Sequence, residues 1–117
     1  LGLFDESLPA CEDYDLWLRI TSKYSILFLD QPLIKKFGGH SDQLSRVLGG
    51  IEQYRIRSLE KILTSDSLSG SQFKVAKDML IHKLEIYSKG LKKREKNTEF
   101  QSIEKKIQYW INMSNLN

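Results

Sequence analysis

Apolar positions along the chain follow two patterns, and the change between them comes near residue 40. Before it, they occur in short clusters. Residues 1–11 carry Gly2, Asp5, Glu6, Ser7 and Pro9, the residue types of turns, and read as loop. EDYDLWLRITSKY (12–24) predicts a short helix, with acids in its first turn and Arg19 and Lys23 toward its end, as the helix dipole favours. Leu16, Trp17 and Ile20 fall on one face, with Trp17 expected in the core, and Asp15 and Arg19 form an i, i+4 pair with the acid first. SILFLD (25–30) is a short apolar run bounded by polar residues and predicts a strand. PLIKKF (32–37) predicts a second, ended by Gly38-Gly39.

After residue 40 the period becomes helical. Asp42 is placed to cap a helix whose apolar positions are Leu44, Val47, Leu48, Ile51, Tyr54, Leu59, Ile62 and Leu63, with a kink or close packing expected at Gly49-Gly50. TSDSLSGS (64–71) reads as a connector. A helix over 72–89 places Phe73, Ala76, Leu80, Leu84 and Tyr87 on one face, with Gly90 as its stop. A last helix over 98–112 carries Phe100, Ile103, Ile107, Trp110 and Ile111 at the same period. The expected fold is therefore α+β and mostly α. One helix and two short strands make up residues 1–40, and a three-helix antiparallel bundle makes up residues 41–117.

Composition narrows the function. Of 117 residues, 40% are hydrophobic and 28% charged, which suits a globular domain and is too apolar for disorder. No apolar run approaches the roughly 20 residues of a membrane span. The chain opens LGLFDESLP, with no signal-peptide pattern and no initiator Met, so a piece of a longer protein is expected. Cys11, the one cysteine, excludes an intrachain disulfide. Together with His40 and His82 it falls short of a four-ligand structural zinc site. The net charge is +3, split between an acidic residues 1–40 (four basic, six acidic) and a basic remainder that includes LKKREK at 91–96. Aromatic and basic residues do not interleave on one face, so nucleic acid is not an expected partner.

The candidate chemistry lies in residues 2–20, GLFDESLPACEDYDLWLRI. Glu12 and Asp13 fall where a loop meets a helix N-terminus. A carboxylate held there can take a proton from a bound hydroxyl, or can help hold a divalent cation; acids in a first helical turn also serve simply as caps.

The same residues resemble family 2 glycosyltransferases, which have the GT-A fold. That family shows Gly-x-Phe-Asp-Glu and then Glu-Asp-x-Asp-Leu-x-x-Arg. Here those positions are Gly2, Phe4, Asp5 and Glu6, then Glu12, Asp13, Asp15, Leu16 and Arg19. The match covers about residues 1–46. It implies that residues 1–40 are the acceptor-side, C-terminal end of a GT-A catalytic domain and that residues 41–117 are a helical extension. It implies Asp13 as the general base, Glu12 as support for the acceptor or the base, and transfer with inversion from a nucleotide-diphospho-sugar to a saccharide or lipid-linked acceptor. In several such enzymes a His placed like His40 completes the coordination of a divalent metal (Mn²⁺ or Mg²⁺). Acceptor or phosphate contact and a plain turn residue are the other readings of His40. Gln43-Leu44-Ser45-Arg46-Val47 partly resembles the Gln-x-x-Arg-Trp motif of processive members, with Val47 in place of the Trp. Gln43 and Arg46 are candidates for acceptor or diphosphate contact, and Arg46 also reads as a helix-surface cation. Asp13-Tyr14-Asp15 spells the family's Asp-x-Asp metal motif but falls in the predicted helix, so the nucleotide-binding half is expected elsewhere and these residues alone are expected to be inactive. The resemblance implies a cytoplasmic protein, at the inner membrane face if LKKREK meets anionic headgroups rather than solvent.

The rival reading is a non-catalytic helical module that docks a partner or dimerises. Self-association is expected on either reading, because two lone strands leave their edges open. Cys11 and Trp110 are expected to be structural, and His82 to lie at or near the surface.

Overall fold

The computed structural model describes residues 1–36 and 50–113. Four helices follow one another: α1 (Glu12–Lys23), α2 (Glu52–Leu63), α3 (Gly70–Lys93) and α4 (Asn97–Asn112). Each packs against the next, α1 on α2, α2 on α3 and α3 on α4. The core runs through all three interfaces. Ile56, Leu59 and Leu63 of α2 meet Leu80 and Leu84 of α3 and Ile107 and Trp110 of α4, while Tyr14 and Leu18 of α1 close one side. Trp110 is 4% exposed, as its place in the helical period predicts.

Polar contacts fix how the helices sit on one another. Lys83 Nζ of α3 donates to Glu52 Oε1 of α2 at 2.9 Å, Lys106 Nζ of α4 to Glu60 Oε1 of α2 at 3.0 Å, and Ser88 Oγ to Glu104 Oε1 at 2.5 Å. These bonds span two helices each, so they select one packing among the many that apolar contact alone would allow.

Helix ends follow local chemistry. Ser69 opens α3 with a reciprocal capping box: its Oγ accepts the Gln72 amide, and Gln72 Oε1 accepts the Ser69 amide at 2.9 Å. At the other end α3 continues through Gly90 to Lys93. The stop expected at Gly90 does not occur because Leu91, one residue on, is buried on the same stripe as Leu84 and Ser88. The helix closes instead just after Lys93, where Glu95 takes a left-handed φ of +59°, with the Glu95 amide bonded to the Lys92 carbonyl at 3.1 Å and the Lys96 amide to the Leu91 carbonyl at 3.0 Å. This is a Schellman closure with glutamate at the usual glycine position.

Three expectations are corrected. The fold is not α+β: among the described residues there are four helices and no strand. SILFLD and the described part of PLIKKF run without regular structure and largely exposed, with Leu27 at 86%. A strand exists only through ladder bonds to a neighbour, and among the described residues none lies beside this run. Trp17 is not in the core: it is 55% exposed, and the residues of α1 that pack on the core are Tyr14 and Leu18, with Asp15 buried beside them. Finally, the helix expected from Asp42 through Gly50 does not include Gly50 or Ile51. Gly50 has φ +72°, outside the helical region, and α2 starts at Glu52. Residues 42–49 lie outside the described residues.

Candidate active site

The chain enters α1 through a strained residue. Cys11, the N-cap, has φ +63°, which places its backbone in the left-handed region. Its side chain is buried, with Sγ 3.7 Å from the Ile51 carbonyl oxygen, and Leu8 and Ala10 are buried with it. Burial pushes the Cys11 thiol up from its ordinary value, opposed by the Arg55 charge, so it is neutral and packs as an apolar group. The residues preceding the helix are thus anchored against the start of α2, and the first turn of α1 leaves that anchor in a fixed direction.

Glu12 and Asp13 begin that turn. Glu12 is half-buried and Asp13 exposed, with Asp13 Oδ1 accepting the Tyr14 amide at 2.8 Å. Both line a cleft of about 370 Å³ with Ala10, Cys11, Tyr14, Trp17, Ile51 and Arg55. The Arg55 guanidinium donates to Glu52 Oε1 at 3.2 Å and lies 5.9 Å from the centre of the Tyr14 ring. Burial would lower Arg55, but its bond to Glu52 outweighs that and holds it charged. The cleft therefore combines a carboxylate able to accept a proton, an exposed indole face and a fixed cation. A larger groove of about 410 Å³ runs between α1, α2 and α3, but no carboxylate lines it. Of these two, the smaller is the one lined by carboxylates.

Asp15, two residues further along, is placed quite differently. It is 2% exposed. Arg19 Nε donates to its Oδ2 at 3.1 Å, and Lys61 Nζ of α2 lies 3.0 Å from the carboxylate. Lys61 also donates to Asp5 Oδ2 at 2.9 Å, and Asp5 Oδ1 accepts both the Ser7 amide, at 2.9 Å, and the Ser7 hydroxyl, at 2.7 Å. Arg19 reaches back to the carbonyl oxygens of Leu1 and Leu3, the latter at 2.7 Å. Two acids and two bases so form a neutral quartet that ties residues 1–7, α1 and α2 together. The Ser7 hydroxyl and the Lys61 ammonium hold the Asp5 carboxyl well below the usual carboxylate range. Burial would lower Lys61, but its bonds to Asp5 and Asp15 outweigh that and raise it.

Of the residues singled out in the sequence, Glu12 and Asp13 come together at the cleft. His40, Gln43 and Arg46 lie outside the described residues. The i, i+4 pair of Asp15 and Arg19 forms, as part of a partly exposed cluster around the buried Asp15. Sequence reasoning missed Arg55 and Lys61: each meets α1 from more than 35 positions away, and helical periodicity does not report such contacts. His82 is exposed.

The chain is similar to uncharacterized glycosyltransferases. It is 37% identical over 54 residues to one from Rickettsia typhi, 46% of this chain and 17% of that protein. It is 44% identical over 46 residues to one from Rickettsia bellii, 39% of this chain and 6% of that protein. A third, from Rickettsia felis, is 41% identical over 46 residues, 39% of this chain and 8% of that protein. The chain thus spans less than a fifth of the length of these curated relatives. No family model and no solved structure matches it. Among the described residues, no group of three His, Cys, Asp or Glu side chains is placed to hold a metal ion, and no helix is long and apolar enough to cross a membrane.

Proposed function

We propose that the chain is the acceptor-side part of a family 2 type glycosyltransferase, in which Asp13 is the general base. The observation that carries this reading is the position of Asp13. It is an exposed carboxylate on the first turn of an anchored helix, facing a cleft, in a chain similar to proteins named glycosyltransferases. The acceptor hydroxyl of a saccharide or lipid-linked saccharide gives its proton to the Asp13 carboxylate. Its oxygen attacks the anomeric carbon of a nucleotide-diphospho-sugar from the side opposite the diphosphate. The bond to the diphosphate oxygen breaks, that oxygen keeps the electron pair, and the configuration inverts. Glu12, beside the base, supports it or the acceptor.

His40 on a divalent metal (Mn²⁺ or Mg²⁺), and Gln43 and Arg46 on acceptor or diphosphate, belong to the same reading. The described residues do not by themselves fit a metal site, so further ligands must come from elsewhere, and no step above runs through the metal. We place the protein in the cytoplasm, at the inner membrane face if LKKREK meets anionic headgroups rather than solvent. We also propose that the chain self-associates through the exposed apolar run of Ile26–Leu29, Leu33 and Ile34, since covering it removes apolar surface from water. Sedimentation at tens of micromolar is expected to show a dimer or larger; a monomer contradicts this.

The function is tested in the full-length protein by release of nucleoside diphosphate from uridine and guanosine diphospho-sugars. Asp13→Asn is expected to lower kcat by at least about 10²-fold, the scale of general-base catalysis, with donor affinity unchanged. Turnover near that of the wild type rules out Asp13 as the base.

A further inference from the structure

We infer that Lys61, on α2, is a positioning residue for the Asp13 cleft: its one ammonium joins the Asp5 carboxylate of the entry loop to the Asp15 carboxylate of α1. The inference rests on the proposed role of Asp13. Lys61 lies outside residues 1–46, which carry the resemblance, so the motif recruits its lock from the helical region that follows.

The geometry makes the lock specific. Asp5 and Asp15 are ten positions apart, and both contact the same Nζ, at 2.9 and 3.0 Å. Arg19 also holds Asp15, but its remaining bonds go to the Leu1 and Leu3 carbonyl oxygens and not to the Asp5 carboxylate. Take away the ammonium and two carboxylates face each other with one guanidinium between two tasks. Like charges at that separation repel, and Asp15 is too buried to be relieved by water. The loop before α1 and the first turn of α1 then separate. Asp13 lies two residues before Asp15 on that turn, and a displacement of about 1 Å at a catalytic group can lower a rate 10²-fold. Through Lys61 the helical region takes part in setting the geometry of the motif.

The test uses the full-length protein with Lys61→Met, which keeps an apolar stem and removes the charge, and Lys61→Arg, which restores a cation able to reach both acids. Lys61→Met is expected to lower kcat about tenfold with donor KM within about twofold, and Lys61→Arg to recover most of the loss, as expected when a base is displaced by less than 1 Å. Hydrogen exchange supplies the readout that does not depend on activity. In Lys61→Met, amides over residues 5–15 are expected to exchange at least tenfold faster, while those near Leu80 and Ile107 stay protected. Unchanged exchange over residues 5–15 overturns the lock. Faster exchange with unchanged kcat overturns the positioning role. General loss of protection at Leu80 and Ile107 shows a merely structural lysine and also overturns it. If Asp13→Asn retains turnover, the proposed function fails, and the exchange result still decides whether Lys61 joins the loop to α1.

Discussion

Asp13 and Asp15 are separated by one tyrosine, yet one faces a cleft and the other is enclosed by Arg19 and Lys61. By helix-dipole chemistry alone the two are equivalent: both are acids in a first helical turn, where the dipole favours either. The 3.6-residue period places them some 200° apart, on opposite sides of α1. Which side is buried depends on α2, and nothing local to residues 12–20 reports that. Trp17 illustrates the same limit. Its expected place is the core, but Tyr14 and Leu18 are the residues of α1 that pack there. A second single-residue consequence concerns Ser58, which is buried with its hydroxyl unbonded among the described residues. Ser58→Ala removes an unsatisfied polar group and is expected to stabilise the chain by about 1 kcal/mol. Denaturant titration checks this; a loss of stability contradicts an unpaired hydroxyl at this position.

At the scale of elements, periodicity identified all four helices to within a few residues where they are described, because an apolar stripe at helical spacing needs only one neighbouring surface. Both predicted strands failed for the complementary reason. A strand depends on a partner, and the composition of SILFLD says only that it is short and apolar. Gly90 misled in the opposite sense: a good stop signal was overridden by burial of Leu91 and Ser88 beyond and before it. Since Gly90 lies within α3, a methyl group there restrains the unfolded chain and suits the helix. The added Cβ would meet the end of the flexible Arg94 side chain at 3.3 Å, which can swing away. Gly90→Ala is expected to stabilise by about 1 kcal/mol and raise Tm by about 4 °C. A fall in Tm would mean that Arg94 is fixed against this glycine.

The whole molecule is held by apolar packing across four helices and by ion pairs that link distant parts of the chain, and those pairs make its stability depend on pH. Asp5 is held below its ordinary value of 3.8 by its bonds from Ser7 and Lys61. Burial would raise Glu52, but its bonds from Lys83 and Arg55 outweigh that and hold it below 4.5. Both carboxyls bind protons more readily in the unfolded chain, so unfolding takes up protons in acid. Their contribution is complete above about pH 5 and fades as pH falls through and below 4. Thermal melts at pH 6 and pH 3 are expected to show the lower Tm in acid, with less difference in Lys61→Met. At this scale the sequence revealed the motif and the helical region separately. The link between them, Lys61 to Asp5 and Asp15, spans 56 and 46 positions and is visible only in three dimensions. The central claim is that neighbouring acids divide the work, Asp13 reacting and Asp15 holding the helix. The most direct measurement compares Asp13→Asn and Asp15→Asn in the full-length protein, by Tm and by nucleotide-sugar turnover. Asp13→Asn is expected to keep the wild-type Tm and lose at least about 10² in kcat. Asp15→Asn is expected to lose about 3 kcal/mol of stability, roughly 10 °C in Tm, by leaving Lys61 and Arg19 without their shared buried anion. An Asp13→Asn protein that turns over normally, or an Asp15→Asn protein as stable as the wild type, would contradict the account.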